Sequence, residues 1–295
     1  MRRQKTIENI VTTSGVGLHK GKQINLRLEP LPVDSGIVFF RSDKDVLIEV
    51  RPENIVNTQM ATVLGSGDVT ISTIEHLLSA IYAYGIDNLK ICVDDNEIPV
   101  MDGSSSAFCI LLDEAGITEQ EKSKKQMIIK KSIKVQDGDK FVEIIPQKSP
   151  EFEFSIKFEH PAIAEQNFEF DFNKKNYIKE ISRARTFGFL KDIEKLQSMG
   201  LALGGNLNNA VVLDDQRILN VEGLRYPNEF VRHKILDAIG DMAIVGYEII
   251  GKYNSHAGSH HLNHLLTKKV LQDSSNYELV SEQVAQDYEL AAQKV

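Results

Sequence analysis

Residues 229–246 of this chain read EFVRHKILDAIGDMAIVG, and the rest of the sequence is best interpreted from this stretch outward. Its apolar residues recur at helical spacing, which predicts one helix. His233, Asp237 and Asp241 are four residues apart, so their side chains lie on one face of that helix, about one turn apart. Burying carboxylates is costly unless a positive group such as a divalent metal meets them. A hydrated helix face with an i,i+4 pair would give the same column, and this helix alone leaves both interpretations open.

Composition and charge limit the classes of protein to which the chain can belong. Its 295 residues, 42% of them hydrophobic and 26% charged, are typical of a soluble globular protein of one large or two ordinary domains. The net charge of −8 argues against general affinity for nucleic acid or an anionic membrane. It leaves room for a local basic pocket that binds a phosphorylated small molecule. We therefore expect a small-molecule substrate and no nucleic-acid partner.

The cysteines and the apolar runs indicate a cytoplasmic protein. Cys92 and Cys109 fit no metal or redox motif, and we expect them to be buried, unreactive thiols. The N-terminus has no apolar stretch typical of a signal peptide, and the longest apolar run, at 242–250, is far shorter than a bilayer span. We therefore expect no integral membrane segment.

The order of predicted elements indicates two α+β domains. Strands fill the first 50 residues, and a helix runs from Ser72 to Gly85. After a charged break at 121–125, EKSKK, strands resume and lead to a helix near 191–199 and then to the opening stretch. We place an N-terminal domain at 1–122, a C-terminal domain at 126–270 and a C-terminal helix or tail at 271–295. Each half leads into a helix that bears a histidine, so we expect the site between the domains.

Two further motifs carry candidate chemistry. Ser72 and Glu75 have the spacing of a helix capping box, which would explain Glu75 structurally but leaves His76 unexplained. Four of the eight histidines fall within residues 254–264, where a solvated loop is one interpretation. Beside a metal site, one of these histidines becomes a candidate general acid, kept protonated by a carboxylate such as Asp241.

A metal would unite these motifs. Two imidazoles and a carboxylate, from His76, His233 and Asp237, make the three-ligand set of a catalytic zinc site with an open fourth position. Glu75, next to a ligand, is a candidate general base for the activated water. Lys234 is placed to help neutralise an oxyanion.

Six motifs in this sequence resemble a known family, the zinc-dependent UDP-3-O-acyl-N-acetylglucosamine deacetylases of lipid A biosynthesis. They occur in family order over about residues 3–270. The motifs are STIEHL from Ser72, GIDN from Gly85, EIPVMDGS from Glu97, ISRARTFG from Ile181, RHKILDAIGD from Arg232 and HHLN from His260.

The resemblance implies hydrolysis of the substrate's N-acetyl group with release of acetate, an early committed step of lipid A biosynthesis. It implies a two-domain sandwich of helices on sheets, with zinc held by His76, His233 and Asp237. Glu75 would be the general base and His260 the general acid, oriented by Asp241. Thr186 would help to stabilise the oxyanion, with Lys234 close by.

The resemblance also implies substrate contacts. Lys140 would contact the diphosphate, and Phe158 would stack on uracil unless it is an ordinary core aromatic. Phe187 lies in the RARTFGF stretch and is also a candidate. Segment 189–213 resembles the family's acyl-chain passage, although core packing would give the same composition. The candidates in that segment are Ile193, Ala202 and Ala210.

Two positions depart from the family pattern. Ser259 stands where the family has glycine before the catalytic histidine, and a second histidine, His261, follows. We choose His260 because its spacing to Leu262 and Asn263 matches the motif. Ala257 replaces a lysine often found there, which puts one nucleotide contact in doubt.

Other functions remain open at this level. A metal-stabilised binding module would need neither the base nor the acid, and a structural zinc would need a fourth protein ligand. Iron(II) can use similar ligands in place of zinc. We expect a monomer.

Overall fold

The structure is a computed structural model that describes residues 2–281 of the chain. Its helices and strands form an α+β fold, as the sequence predicted. The described helices are α1 (Glu75–Tyr84), α2 (Ser106–Ala115), α3 (Lys174–Glu180), α4 (Leu190–Ser198), α5 (Glu229–Ala243) and α6 (His260–Gln272), with 3-10 turns at Pro52–Asn54 and Ser274–Asn276.

The strands divide between the two halves of the chain. Those of the first half are β1 (Arg3–Ile7), β2 (Val11–Val16), β3 (Gln23–Pro30), β4 (Ile37–Arg41), β5 (Val46–Glu49), β6 (Ile55–Asn57), β7 (Val63–Ser66), β8 (Val69–Ile71), β9 (Leu89–Val93) and β10 (Ile117–Ser123). Those of the second half are β11 (Lys125–Ile129), β12 (Ile133–Asp137), β13 (Lys140–Ile145), β14 (Glu151–Lys157), β15 (Glu165–Asp171), β16 (Phe187–Phe189), β17 (Val211–Leu213), β18 (Glu248–Ile250), β19 (Lys252–His256) and β20 (Tyr277–Ser281).

One sheet topology occurs twice. The first half has a five-stranded sheet in the order β2-β3-β9-β4-β5, and the second half has one in the order β12-β13-β19-β14-β15. In each sheet the third and fourth strands of that order are parallel, and the other neighbours are antiparallel. The smaller sheets are β6-β7-β8, β18-β11-β20, β1-β10 and β16-β17.

Side-chain alternation places one face of each large sheet on the core. In β3, Ile24, Leu26 and Leu28 are buried and the residues between them face outward. In β14, Phe152 and Phe154 are buried in the same alternation. This period of two is the pattern of a sheet covered on one face.

The helices cover those faces and meet one another. Helix α1 packs along α5 and against α2, while α5 also contacts α6, β14 and β15. Helix α6 lies on β12 and β13. Nearly every residue of α1, and most of those in α5, is buried, as expected for helices surrounded by protein.

Two predictions of local structure are wrong. Residues 121–125 are not a break, because Glu121–Ser123 continue β10 and Lys125 begins β11. Lys124 between them is buried, and its ammonium pairs with Asp87 at 3.0 Å and donates to the Gly85 carbonyl. The predicted helix or tail at 271–295 instead begins with the end of α6 and continues into β20, which pairs with β11. Residues 282–295 of that prediction lie outside the described residues, and the domain limits themselves stay a prediction.

The predicted burial of the two cysteines is confirmed. Cys92 and Cys109 are both free and buried. Within residues 2–281, every helix is too short or too polar to cross a bilayer.

Candidate metal centre

Helices α1 and α5 approach each other backbone to backbone. At Gly240 in α5, a Cβ atom would lie 2.0 Å from the carbonyl oxygen of Glu75 at the start of α1. Glycine is therefore required for this contact, which sets the first turn of α1 against the middle of α5. Glu75 and His76 thereby come beside the column that begins at His233.

Three potential metal ligands converge at this contact. His76 Nε2 lies 3.5 Å from Asp237 Oδ1, and His233 Nε2 lies 3.3 Å from the same oxygen. The side chains of all three residues are at most 6% exposed. Each offers one ligand atom, and these atoms lie within 4.8 Å of one another. The structure thus brings the predicted ligands together, one from the first half and two from the second.

This group fits a divalent metal. Asp237 Oδ1 is buried without a hydrogen-bond donor among the described residues, a costly state for a carboxylate oxygen unless a cation meets it. Ligand atoms bound to zinc at 2.0–2.1 Å in a tetrahedron would be about 3.3–3.4 Å apart. Both separations from Asp237 Oδ1 are close to that value.

The charge state of the ligands also suits a metal. His233 Nδ1 donates a hydrogen bond to the Ala184 carbonyl at 3.0 Å, which leaves the lone pair of Nε2 facing the group. Burial lowers the pKa of His233 to about 3, so its imidazole is neutral. Burial opposes ionisation of Asp237, but the charged ammonium of Lys234 holds its pKa well below the usual value. Lys234 Nζ donates to Asp237 Oδ2 at 3.0 Å, so only Oδ1 faces the imidazoles.

Glu75 lies beside the ligand group as a buried carboxylate. Its Oε2 accepts a hydrogen bond from the Thr62 amide at 3.1 Å, and its side chain is not used in a cap. Burial raises its pKa, which the positively charged neighbour His260 only partly offsets. A carboxylate with a raised pKa is a better proton acceptor than an exposed one.

Asp241 and His260 form a second pair. His260 Nδ1 donates to Asp241 Oδ2 at 2.8 Å. Burial alone would lower the pKa of His260, but the Asp241 carboxylate raises it to about 9. His260 is therefore positively charged near neutral pH. His261 points elsewhere, with its Nδ1 3.3 Å from the hydroxyl of Thr58.

The segment that contains Thr186 is attached to α5 by a buried ion pair. Arg185 and Glu229, both almost fully buried, pair at 2.9 Å, and Glu229 also accepts from the Arg185 amide. The backbone of Thr186 donates to Gly103 and accepts from Val211. Among the described residues, the Thr186 hydroxyl makes no hydrogen bond to the ligand group.

Among the predicted substrate contacts, Phe187 is the one whose ring meets a potential ligand. The ring of Phe187 meets those of His233 at 6.4 Å and Phe158 at 6.0 Å between centroids. Ile193 in α4 is beside Gly188 of the same strand as Phe187. Ala202 and Ala210 are buried within segment 189–213. Lys140 is exposed at the turn between β12 and β13, opposite Asp137, and the structure does not bring it to the ligand group.

Two interpretations of the motifs are wrong. Ser72 is not a helix cap, because α1 begins at Glu75 after Ile74, and the positive φ of 60° at Thr73 turns the chain before it. The histidine run 254–264 is not a loop. It ends β19 and then begins α6, where Ser259 accepts from the Leu262 amide as a side-chain N-cap.

Two residues next to the site were missed by sequence analysis. Thr62 donates its hydroxyl to Asp241 Oδ1 at 2.5 Å, and Asn263 donates its side-chain amide to Asp241 Oδ2 at 2.8 Å. Asn263 was part of the quoted HHLN motif, a signal that pointed to it without indicating its partner. For Thr62, nothing in its local sequence, QMATVLG, indicated the site.

A buried pair of imidazoles with one carboxylate, beside a second carboxylate and a charged histidine, is typical of metal-dependent hydrolases. The comparisons with known proteins narrow that class. The family model for UDP-3-O-acyl N-acetylglycosamine deacetylase matches residues 4–272, so the chain belongs to this family and the resemblance inferred from the motifs is confirmed.

Three relatives, each a UDP-3-O-acyl-N-acetylglucosamine deacetylase, match nearly the whole chain. The relative from Campylobacter fetus subsp. fetus is 57% identical, over 97% of this chain and 98% of its own length. The relative from Campylobacter jejuni subsp. jejuni serotype O:2 is 60% identical over 95% of each chain. The relative from a Nitratiruptor species is 56% identical, over 94% of this chain and 93% of its own length.

Proposed function

We propose that this chain hydrolyses the N-acetyl group of UDP-3-O-acyl-N-acetylglucosamine, releasing acetate, as a step of lipid A biosynthesis. One observation carries the proposal. The family match extends over residues 4–272, and within it His76, His233 and Asp237 form a buried group suited to a metal. Acyl transfer to water is the chemistry that such a site supports when an acid and a base lie beside it.

His76, His233 and Asp237 would hold the metal, which we propose to be Zn²⁺, with Fe²⁺ as an alternative. When bound, the metal would supply Lewis acidity that makes water more acidic and polarises the acetyl carbonyl. The lone pair of His233 Nε2 and the free oxygen of Asp237 support this role, because both face the same space.

Glu75 is the proposed general base. Its carboxylate is fixed by the Thr62 amide and lies in a buried site where its pKa is raised. It would take a proton from the attacking water as the water oxygen bonds to the acetyl carbon.

His260 is the proposed general acid. Asp241 holds its Nδ1 proton and keeps the ring charged, so the proton on Nε2 is available to the departing nitrogen. As the carbon–nitrogen bond breaks, that nitrogen gains the proton and leaves as the free amine, while the acetyl group leaves as acetate. Lys234, with Thr186, would stabilise the negative charge that develops on the carbonyl oxygen.

The proposed substrate contacts come from the family resemblance. The ring contacts that run from His233 to Phe187 and on to Phe158 support a place for both phenylalanines on the sugar and uracil side of the site. Lys140 would contact the diphosphate, and the apolar segment 189–213 would hold the acyl chain through Ile193, Ala202 and Ala210. We further propose that the protein is a cytoplasmic monomer.

The decisive experiment measures acetate release from UDP-3-O-acyl-N-acetylglucosamine after rigorous chelation, with and without added Zn²⁺ or Fe²⁺. We expect the chelated protein to be inactive and a single metal equivalent to restore activity. His233→Ala should lose both the metal and the activity, whereas His261→Ala, which changes a histidine outside the ligand group, should keep both. Full activity in the chelated protein would overturn the metal-dependent mechanism, and no acetate under any condition would overturn the proposed function.

A further inference from the structure

Thr62 is a buried residue that contacts both halves of the catalytic site. It lies in the connection between β6 and β7, is 1% exposed, and is 13 residues before Glu75 and 179 before Asp241. All three of its polar groups are used. Its amide donates to Glu75 Oε2, its hydroxyl donates to Asp241 Oδ1, and its carbonyl accepts from the Ile74 amide at 3.5 Å, just before α1.

The hydroxyl contact decides how Asp241 presents its carboxylate. The Thr62 hydroxyl is 2.5 Å from Oδ1, while Oδ2 accepts from His260 and Asn263, each at 2.8 Å. Hydrogen bonds to both oxygens fix the rotation of the carboxylate group. Because Asp241 is buried, no water is at hand to replace a lost donor, and the carboxylate would turn toward whatever donors remain.

The amide contact acts on the other side of the site. Glu75 is in the first turn of α1, and its Oε2 is held by the same residue that holds Asp241 in α5. A single buried residue therefore sets the distance between the carboxylate of the proposed base and the carboxylate that orients the proposed acid. Proton transfers depend on such spacing to within a fraction of an ångström.

We propose that Thr62 is a positioning residue that fixes His260, through Asp241, relative to Glu75. This inference rests on the proposed function for the roles of Glu75 and His260. Thr62 is too deeply buried to contact substrate, so it acts on the rate of the chemical step and not on substrate binding.

The test separates the effect of the Thr62 hydroxyl from that of its methyl group. Thr62→Val keeps the shape and removes the donor, whereas Thr62→Ser keeps the donor and removes a methyl group. Thr58→Val is the matched control, since Thr58 is in the same connection and its hydroxyl faces His261. We expect Thr62→Val to lower kcat about 10- to 100-fold with KM unchanged, and Thr62→Ser and Thr58→Val to stay within about threefold of the wild type.

A second readout does not need turnover. In NMR spectra of the histidine rings, the proton on His260 Nδ1 should give a hydrogen-bonded signal in the wild type, Thr62→Ser and Thr58→Val that is shifted or lost in Thr62→Val. If Thr62→Val does not fold, Thr62→Ala takes its place in both measurements.

Two results would overturn the inference. One is a Thr62→Val protein with the kcat and the His260 signal of the wild type. The other is a Thr62→Ser protein as impaired as Thr62→Val, which would show that volume matters and not the hydroxyl. A wild-type protein that releases no acetate but shows the expected NMR difference would count against the proposed function alone.

Discussion

Substituting Gly240 by alanine should separate the two halves of the ligand group while leaving the fold in place. The added Cβ would lie 2.0 Å from the Glu75 carbonyl oxygen, against 3.4 Å or more for ordinary contacts. The clash is with backbone, so no side-chain rotation relieves it. Helices α1 and α5 must therefore move apart by about 1.4 Å at this point, which carries His76 away from His233 and Asp237.

The substitution should cost both stability and activity. Overpacking costs about 1–3 kcal/mol or more, and alanine in place of glycine in a helix returns about 1 kcal/mol. Because the atoms in the way are backbone, we expect a net loss of about 2 kcal/mol or more. A displacement near 1 Å lowers reaction rates about 100-fold when it separates reacting groups. We expect kcat/KM for acetate release to fall at least 100-fold, and bound metal to be lost on dialysis.

Gly65→Ala is the matched control. There the added Cβ would meet only the side chain of Val56, which is 54% exposed and can move. Activity, metal content and thermal unfolding of both variants should be measured on the same preparations. A Gly240→Ala protein that retains its metal and a kcat/KM within about threefold of the wild type would refute the claim that this contact sets the geometry of the site.

Three further predictions follow from charges in and near the site. The acid form of His260 exists below its pKa of about 9, so kcat should fall as the pH rises through about 9. Asp241→Asn should move this fall to lower pH. A fall at the same pH in the variant would contradict the pairing of His260 with Asp241. Lys234→Met removes a cation that helps to lower the pKa of Asp237, so Asp237 should become protonated, and release its metal, at a higher pH. In an acid titration, the pH at which half the bound metal is released should therefore rise. An unchanged midpoint would show that Lys234 does not control the ionisation of Asp237. Glu229→Gln leaves the buried charge of Arg185 without its main partner, so it should lower the free energy of unfolding, measured in urea titrations, by about 3–5 kcal/mol. The control Arg217→Ala, at an exposed ion pair, should lower it by less than about 1 kcal/mol. Equal losses in the two variants would contradict this prediction.

Local sequence patterns predicted the elements whose side chains repeat regularly. The spacing in 229–246 gave α5 to within three residues at its end, and the alternation at Ile24, Leu26 and Leu28 gave β3. The column of His233, Asp237 and Asp241 was readable because helical geometry alone places residues four apart on one face. Helical geometry could not show that His233 and Asp237 meet His76, or that Asp241 meets His260.

The errors arose where distant contacts override local preferences. Glu75 has the spacing of a capping box, but the positive φ of Thr73 and the Thr62 amide direct it into the site instead. The charged run 121–125 forms strands because it pairs with segments far away in the sequence. Ser123 pairs with Arg3 in β1, 120 residues away, and Lys125 pairs with Ser281 in β20, 156 residues away. The contacts of Thr62 could not be predicted for the same reason. They depend on how α1 and α5 pack, and the residues next to Thr62 in the sequence do not indicate them.

The pairing of α1 with α5 also has a consequence for how the protein is made. Helix α1 ends at Tyr84 and its partner ends at Ala243, 159 residues later. At about 5–20 residues per second, the ribosome needs about 8–32 s to synthesise that interval. Throughout this time the apolar surface of α1 lacks the helix that covers it, and His76 lacks both other ligands. The nascent first half is thus exposed to aggregation, and the proposed metal site cannot form until the second half has emerged.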